Sequence, residues 1–164
     1  MKFLRLLCLV LLALSLVACG GPTVWLEGDE VGAEIAAIQK LGDDLDHAWD
    51  QRNADAFSRL FIDSGSFRFP SGTLLEGRQH IHDHYRDVAF PSFDADLIHQ
   101  TRPKRIHLLS PTTAIADGKV DFIHTQAVRP EDRLDLVLFV TSALTKTSKG
   151  WRIAAVRLIP VPME

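Results

Sequence analysis

The chain has 164 residues, 46% of them hydrophobic, with 18 basic and 21 acidic side chains and a net charge of −3. That length suits one domain around a single core. An acidic balance whose one basic cluster is Arg102-Pro103-Lys104-Arg105 argues against a nucleic-acid partner. The two cysteines are Cys8 and Cys19, so disulfides, thiolate-bound zinc and cysteine nucleophiles are excluded from everything after residue 19.

The chain starts basic, with Lys2 and Arg5, and continues in an apolar run from Leu6 to Val17 broken by Ser15. This order, with small Ala18 at its end, describes a secretory signal peptide. As a helix the run is roughly 18 Å long, short of the roughly 30 Å of a bilayer core. Leu16-Val17-Ala18-Cys19 resembles the lipobox of bacterial lipoproteins. The resemblance implies cleavage before Cys19 and lipid attachment to it, and two or more acyl chains hold a protein stably on a membrane. Gly20 after the cysteine, rather than Asp, implies the periplasmic face of the outer membrane in the bacterial cell envelope. The expected organisation is a signal peptide over residues 1–18, a lipidated cysteine and flexible tether over 19–29, and one domain over 30–164. Glycines and a proline in the tether give it a span of roughly 17 Å.

Val31, Ile35, Ile38, Leu41, Leu45, Ala48 and Trp49 recur at helical steps, with Asp43, Asp44, Asp46 and Asp50 on the other side. Asn53 is placed to cap a second, shorter helix with Phe57, Leu60 and Phe61 inward, ended by a turn at Asp63-Ser64-Gly65. Ser66 to Phe69 alternates like a strand and turns at Pro70-Ser71-Gly72. Gly77 opens a third helix, Arg78 to about Val88, burying Ile81, Tyr85 and Val88, and Pro91 ends it. From there the period is two. Four strands follow, at 97–109, 113–124, 134–146 and 151–159, joined by turn residues. Helices followed by an antiparallel meander specify an α+β domain. The strand from Leu134 is apolar on both faces (Leu136, Leu138 and Val140 against Val137, Phe139 and Ala143), which points to a homodimer through the sheet.

This order resembles the nuclear transport factor 2-like superfamily, and most of all its SnoaL-like branch. The resemblance rests on the segment from His47-Ala48-Trp49-Asp50 to Asp63, on Gly72 with Leu75-Glu76-Gly77-Arg78-Gln79-His80-Ile81, and on Gly150-Trp151-Arg152-Ile153-Ala154-Ala155. It implies a cone-shaped α+β barrel: three helices on a strongly curved, mainly antiparallel six-stranded sheet around a cavity, with frequent homodimers. Members range from isomerases, dehydratases and cyclases to proteins without an assigned reaction, so the pocket residues must decide the chemistry.

His80 and His84 share a helix face while His82 lies about 200° from each. With no second ligand pair to complete a shell, no metal and no cofactor is expected. Asp121 lies between Val120 and Phe122, and inside a dry cavity it would be a general base. Tyr85, the single tyrosine, would stabilise an oxygen, giving a catalytic trio of Tyr85, His84 and Asp121. Trp49, Phe61, Tyr85 and Trp151 are expected as pocket walls, with Arg157 or a histidine orienting the ligand. His99 and His107 lie on the early strands, at the rim or on the surface. The leading expectation is a membrane-anchored domain binding a small, largely apolar molecule. The alternatives are a proton-transfer enzyme and an interaction module of the envelope.

Overall fold

The computed structural model describes residues 28–161; the signal peptide, Cys19 and most of the tether lie outside them. Helix α1 (Gly28–Asp50) leads to α2 (Ala54–Arg59), strand β1 (Phe61–Arg68) and strand β2 (Leu74–Glu76). A third helix, α3 (Arg78–His84), runs on through a π-helical turn (Tyr85–Ala89) into a last turn (Phe90–Ser92). Strands β3 (Leu97–Ser110), β4 (Thr113–His124), β5 (Leu134–Thr147) and β6 (Gly150–Pro160) complete the domain. The six strands form one sheet in the order β2-β1-β6-β5-β4-β3, antiparallel throughout except where β1 lies parallel to β6. The expected α+β cone is present, three helices on a six-stranded sheet. The sheet is open at β2 and β3, so it is not a closed barrel.

Four local expectations are corrected. Gly28 and Asp29 belong to α1 and not to the tether. Asp63-Ser64-Gly65 lies inside β1, where a bulge between Phe61 and Ser66 absorbs the turn-forming residues. The third helix outlasts Val88 because the π-helical turn adds a residue. That shift turns Val88 outward, 55% exposed, and puts Ala89 and Phe90 inward. The acidic stripe of α1 is divided: Asp44 pairs with Lys40, whereas Asp46 and Asp50 reach the sheet.

Helix α1 lies on the sheet through Ile38, Leu41, Ala48 and Trp49. At its end Arg52 adopts φ 52°, a conformation its side chain explains. The guanidinium lies 4.0 Å over the Trp49 ring and donates to the carbonyls of Trp49, Asp94 and Leu97. Burial holds its pKa below the ordinary arginine value, yet so basic a group stays charged. Asn53 caps α2 as expected, its Oδ1 accepting from the Ala56 amide at 2.9 Å. At the other end of α1, Glu34 accepts from Trp151 Nε1 at 2.6 Å and from Lys146 Nζ, tying the helix to both strands of the β5–β6 hairpin.

These contacts set the response to substitution and to pH. Gly118 on β4 faces Pro103 on β3, and a Cβ there would stand 2.5 Å from the Arg102 carbonyl oxygen and 2.9 Å from Pro103 Cα. Gly118→Ala should cost about 1–3 kcal/mol in urea melts. Gly32→Ala, on an open face of α1, should instead add about 0.5–1 kcal/mol. The hydrogen bonds from Lys146 and Trp151 hold the Glu34 carboxyl below its usual pKa. A depressed carboxylate stabilises the fold above its unfolded pKa and loses that contribution as pH falls through the folded value. Melting temperatures of the wild type and Glu34→Gln should therefore differ at neutral pH and converge as the pH falls below the ordinary glutamate pKa of about 4.3.

Candidate active site

Between α1 and the concave face of the sheet lies a cavity of about 240 Å³. Its deep wall is apolar, built from residues such as Phe57, Phe67, Val120, Leu138, Ile153 and Val156. Its mouth is marked by the exposed lining residues Gln39, Asp43, Pro70, Pro103, Asp135 and Leu136. Period-two strands account for the wall: on β5, Leu136, Leu138, Val140, Ser142 and Leu144 point in, while Val137, Phe139 and Ala143 point out.

The polar centre of the cavity is His99 on β3, only 9% exposed. Its ring stacks on Trp49 with centroids 5.2 Å apart and meets the edge of Phe122 at 5.3 Å. Its Nδ1 lies 2.7 Å from Asp46 Oδ1 on α1. Asp46 also accepts from the Thr101 amide at 2.7 Å and the Thr101 hydroxyl at 2.6 Å, and Asp50 accepts from the His99 amide at 2.9 Å. A carboxylate only accepts, so Nδ1 carries a proton, and in the uncharged tautomer this leaves the lone pair on Nε2. No partner among the described residues engages Nε2, the Tyr85 hydroxyl or the Ser142 hydroxyl, and all three residues line the cavity. Since no side-chain polar atom sealed from the surface lacks a partner, each of these three atoms retains accessible surface. Burial pushes the Tyr85 phenol above its ordinary pKa, which keeps it a neutral hydrogen-bond donor. The rings of Trp49 and Phe90 separate it from His99, with centroid distances of 5.2, 6.1 and 5.2 Å along the row His99–Trp49–Phe90–Tyr85.

Of the sequence candidates, Trp49 and Tyr85 line the cavity. The trio of Tyr85, His84 and Asp121 is not brought together. Asp121 lies on the convex face because Val120 and Phe122 take the inward positions, and its Oδ2 is 3.0 Å from Arg102 Nε. His84 packs against Phe69, ring centroids 5.1 Å apart, outside the cavity lining. Phe61 is fully buried against Phe57 and Phe67, behind the wall. Trp151 is buried beside α1 on its bond to Glu34. Arg157 is turned outward by the bulge at Ala154 on β6, opposite Ala143 and Leu144: Ile153 and Val156 face in, whereas Arg157 donates to Ser66 Oγ at 3.1 Å from both Nη1 and Nη2. His82 lies 3.2 Å from Asp55 and 3.0 Å from Asp83. Among the described residues, no group of three or more potential ligands is placed to hold a metal.

Asp46 is the candidate site residue that sequence reasoning missed. Helical periodicity assigned it to a solvated stripe, and the signal that could have found it is its four-residue spacing from Asp50, beside buried Trp49.

The fold recurs in solved structures. A nuclear transport factor 2-like protein with a cystatin-like fold from Novosphingobium aromaticivorans aligns with a TM-score of 0.71 at 17% identity, covering 82% of this chain and 86% of that one. A protein from the same organism, named provisionally as a scytalone dehydratase, aligns with a TM-score of 0.69 at 19% identity, covering 82% and 88%. Aln2 from a Streptomyces species aligns with a TM-score of 0.64 at 18% identity, covering 83% and 94%. At these identities the likeness is one of fold. No curated protein matches the sequence. The profile of the SnoaL-like domain matches residues 31–157, nearly all of the described structure, and the chain belongs to the SnoaL-like domain family.

Proposed function

We propose that the domain takes a small, ring-containing, mainly apolar molecule into its cavity and moves a proton on it through His99, as an isomerase or dehydratase does. The observation that carries this reading is a nine-tenths buried histidine that lines an apolar hollow, its Nε2 without a partner among the described residues and its Nδ1 held by Asp46. Asp46 fixes the tautomer and orients the ring, Nε2 accepts a proton from the ligand, and the resulting imidazolium is stabilised by the same carboxylate. The Tyr85 and Ser142 hydroxyls are free to donate to ligand oxygens. The name of the dehydratase-like neighbour is in keeping with this class of reaction.

The same proposal sets the domain on a bacterial membrane by lipid on Cys19, which Leu16-Val17-Ala18-Cys19 supports. It pairs two copies through the convex face of the sheet, where Phe139 and Ile159 are 38% and 51% exposed.

A small bicyclic ketone, 2-tetralone, tests the chemistry. In heavy water, residues 20–164 should exchange its acidic α-hydrogens for deuterium faster than buffer does, read by NMR. His99→Gln should slow the enzymatic exchange by about 100-fold or more while tetralone still raises the melting temperature. Binding without exchange would reassign the domain as a carrier; neither binding nor exchange, with a broad set of apolar ligands failing too, would leave the interaction-module reading.

A further inference from the structure

We propose that the cavity selects its ligand by charge, accepting an apolar molecule with a cationic, amine-type end at the mouth and refusing an anionic one. This inference rests on the small-molecule reading above and adds the class of ligand.

Among the lining residues are two carboxylates, Asp43 on α1 and Asp135 at the start of β5, and no lysine or arginine. Both are exposed and mark the opening. Asp43 has no hydrogen-bond or ion-pair partner among the described residues. Asp135 has one distant neighbour, His124 Nε2 at 3.9 Å, and that ring is already bonded to Asp96 at 3.1 Å. A third carboxylate, Asp46, stands behind His99 and is bonded to neutral backbone and hydroxyl donors as well as the imidazole. The deep wall offers a ligand no cation to pair with an anion, and its aromatic lining lowers the local dielectric.

Two further observations point to an occupant. His99 is 9% exposed and Tyr85 4%, and each lines the hollow with a polar atom that has no partner among the described residues. The lining therefore combines negative charge at its exposed residues with single hydrogen-bonding atoms and hydrocarbon at its buried ones. A molecule complementary to it carries a positive group, a polar atom and an apolar ring system.

Three ligands of one shape test the proposal: 2-naphthylmethylamine, 2-naphthylmethanol and 2-naphthoate, titrated calorimetrically into residues 20–164 at neutral pH and low salt. The amine should bind about tenfold more tightly than the carboxylate, with the alcohol between them. The spread should shrink to about twofold in Asp43→Asn/Asp135→Asn, and in the wild type at about 0.5 M salt, where screening acts within a few ångströms. The alcohol's affinity should stay unchanged, which shows that the variant retains its cavity; if the double variant does not fold, Asp43→Asn alone should halve the logarithm of the ratio. Equal binding of the three, tighter binding of the carboxylate, or a preference that survives the substitutions would overturn charge selection while leaving the pocket intact. Failure of the alcohol as well would overturn the pocket reading, and this inference with it.

Discussion

The arrangement of this domain depends on two carboxylates of one helix holding the edge of a sheet. Strand β3 is the last strand on its side and its outer amides have no strand to pair with. Asp46 and Asp50, four residues apart, lie about 6 Å apart along α1, while Thr101 and His99, two apart, lie roughly 6.6 Å apart along the strand. The near-match lets one helix face accept from both amides at 2.7 and 2.9 Å. An exposed strand edge invites aggregation, and charge-assisted bonds of this kind contribute about 1.5–3 kcal/mol each. The same contact places α1 across the sheet and supplies the partner of His99, so the helix that satisfies the sheet's edge also fixes the polar centre of the cavity.

The hollow exists because aromatic side chains stand around it and do not fill it. Trp49, Phe93, Phe122 and His99 pack on one another at one end, and Phe57, Phe67, Phe69 and Tyr85 at the other, with Phe90 in contact with both groups. Edge-to-face and tilted contacts let each ring find a partner in its own cluster. The sheet also presents shorter side chains to the cavity, among them Ala116 and Ser142. Rings packed against rings make rigid walls around the space that His99 lines.

Much of the fold was legible in the sequence. The switch from a helical period to a period of two, after Pro91, located every strand of the meander to within a residue or so of its ends. Trp49 and Tyr85 were legible as cavity residues because helical spacing put both inward. What failed has a common cause: single-residue irregularities invert the faces that follow them. The bulge beside Ala154 turned Arg157 away from the cavity, the π-helical turn exchanged Val88 for Ala89, and the bulge in β1 absorbed Asp63-Ser64-Gly65. Asp121 failed differently, since strict alternation with Val120 and Phe122 already placed it outside. The pairing of Asp46 with His99 joins residues 53 positions apart, and local periodicity carries no information about such a pair.

The position of β6 has its own consequence for how the chain acquires this shape. The C-terminal strand of the domain sits inside the sheet, antiparallel to β5 on one side and parallel to β1 on the other. Without it the β1–β2 hairpin has no bridge to the three-stranded meander, and the hydrophobic faces of α1 and α2 have only half a platform. Assembly therefore depends on pairing β6 with a strand some ninety residues earlier, a non-local topology that folds slowly.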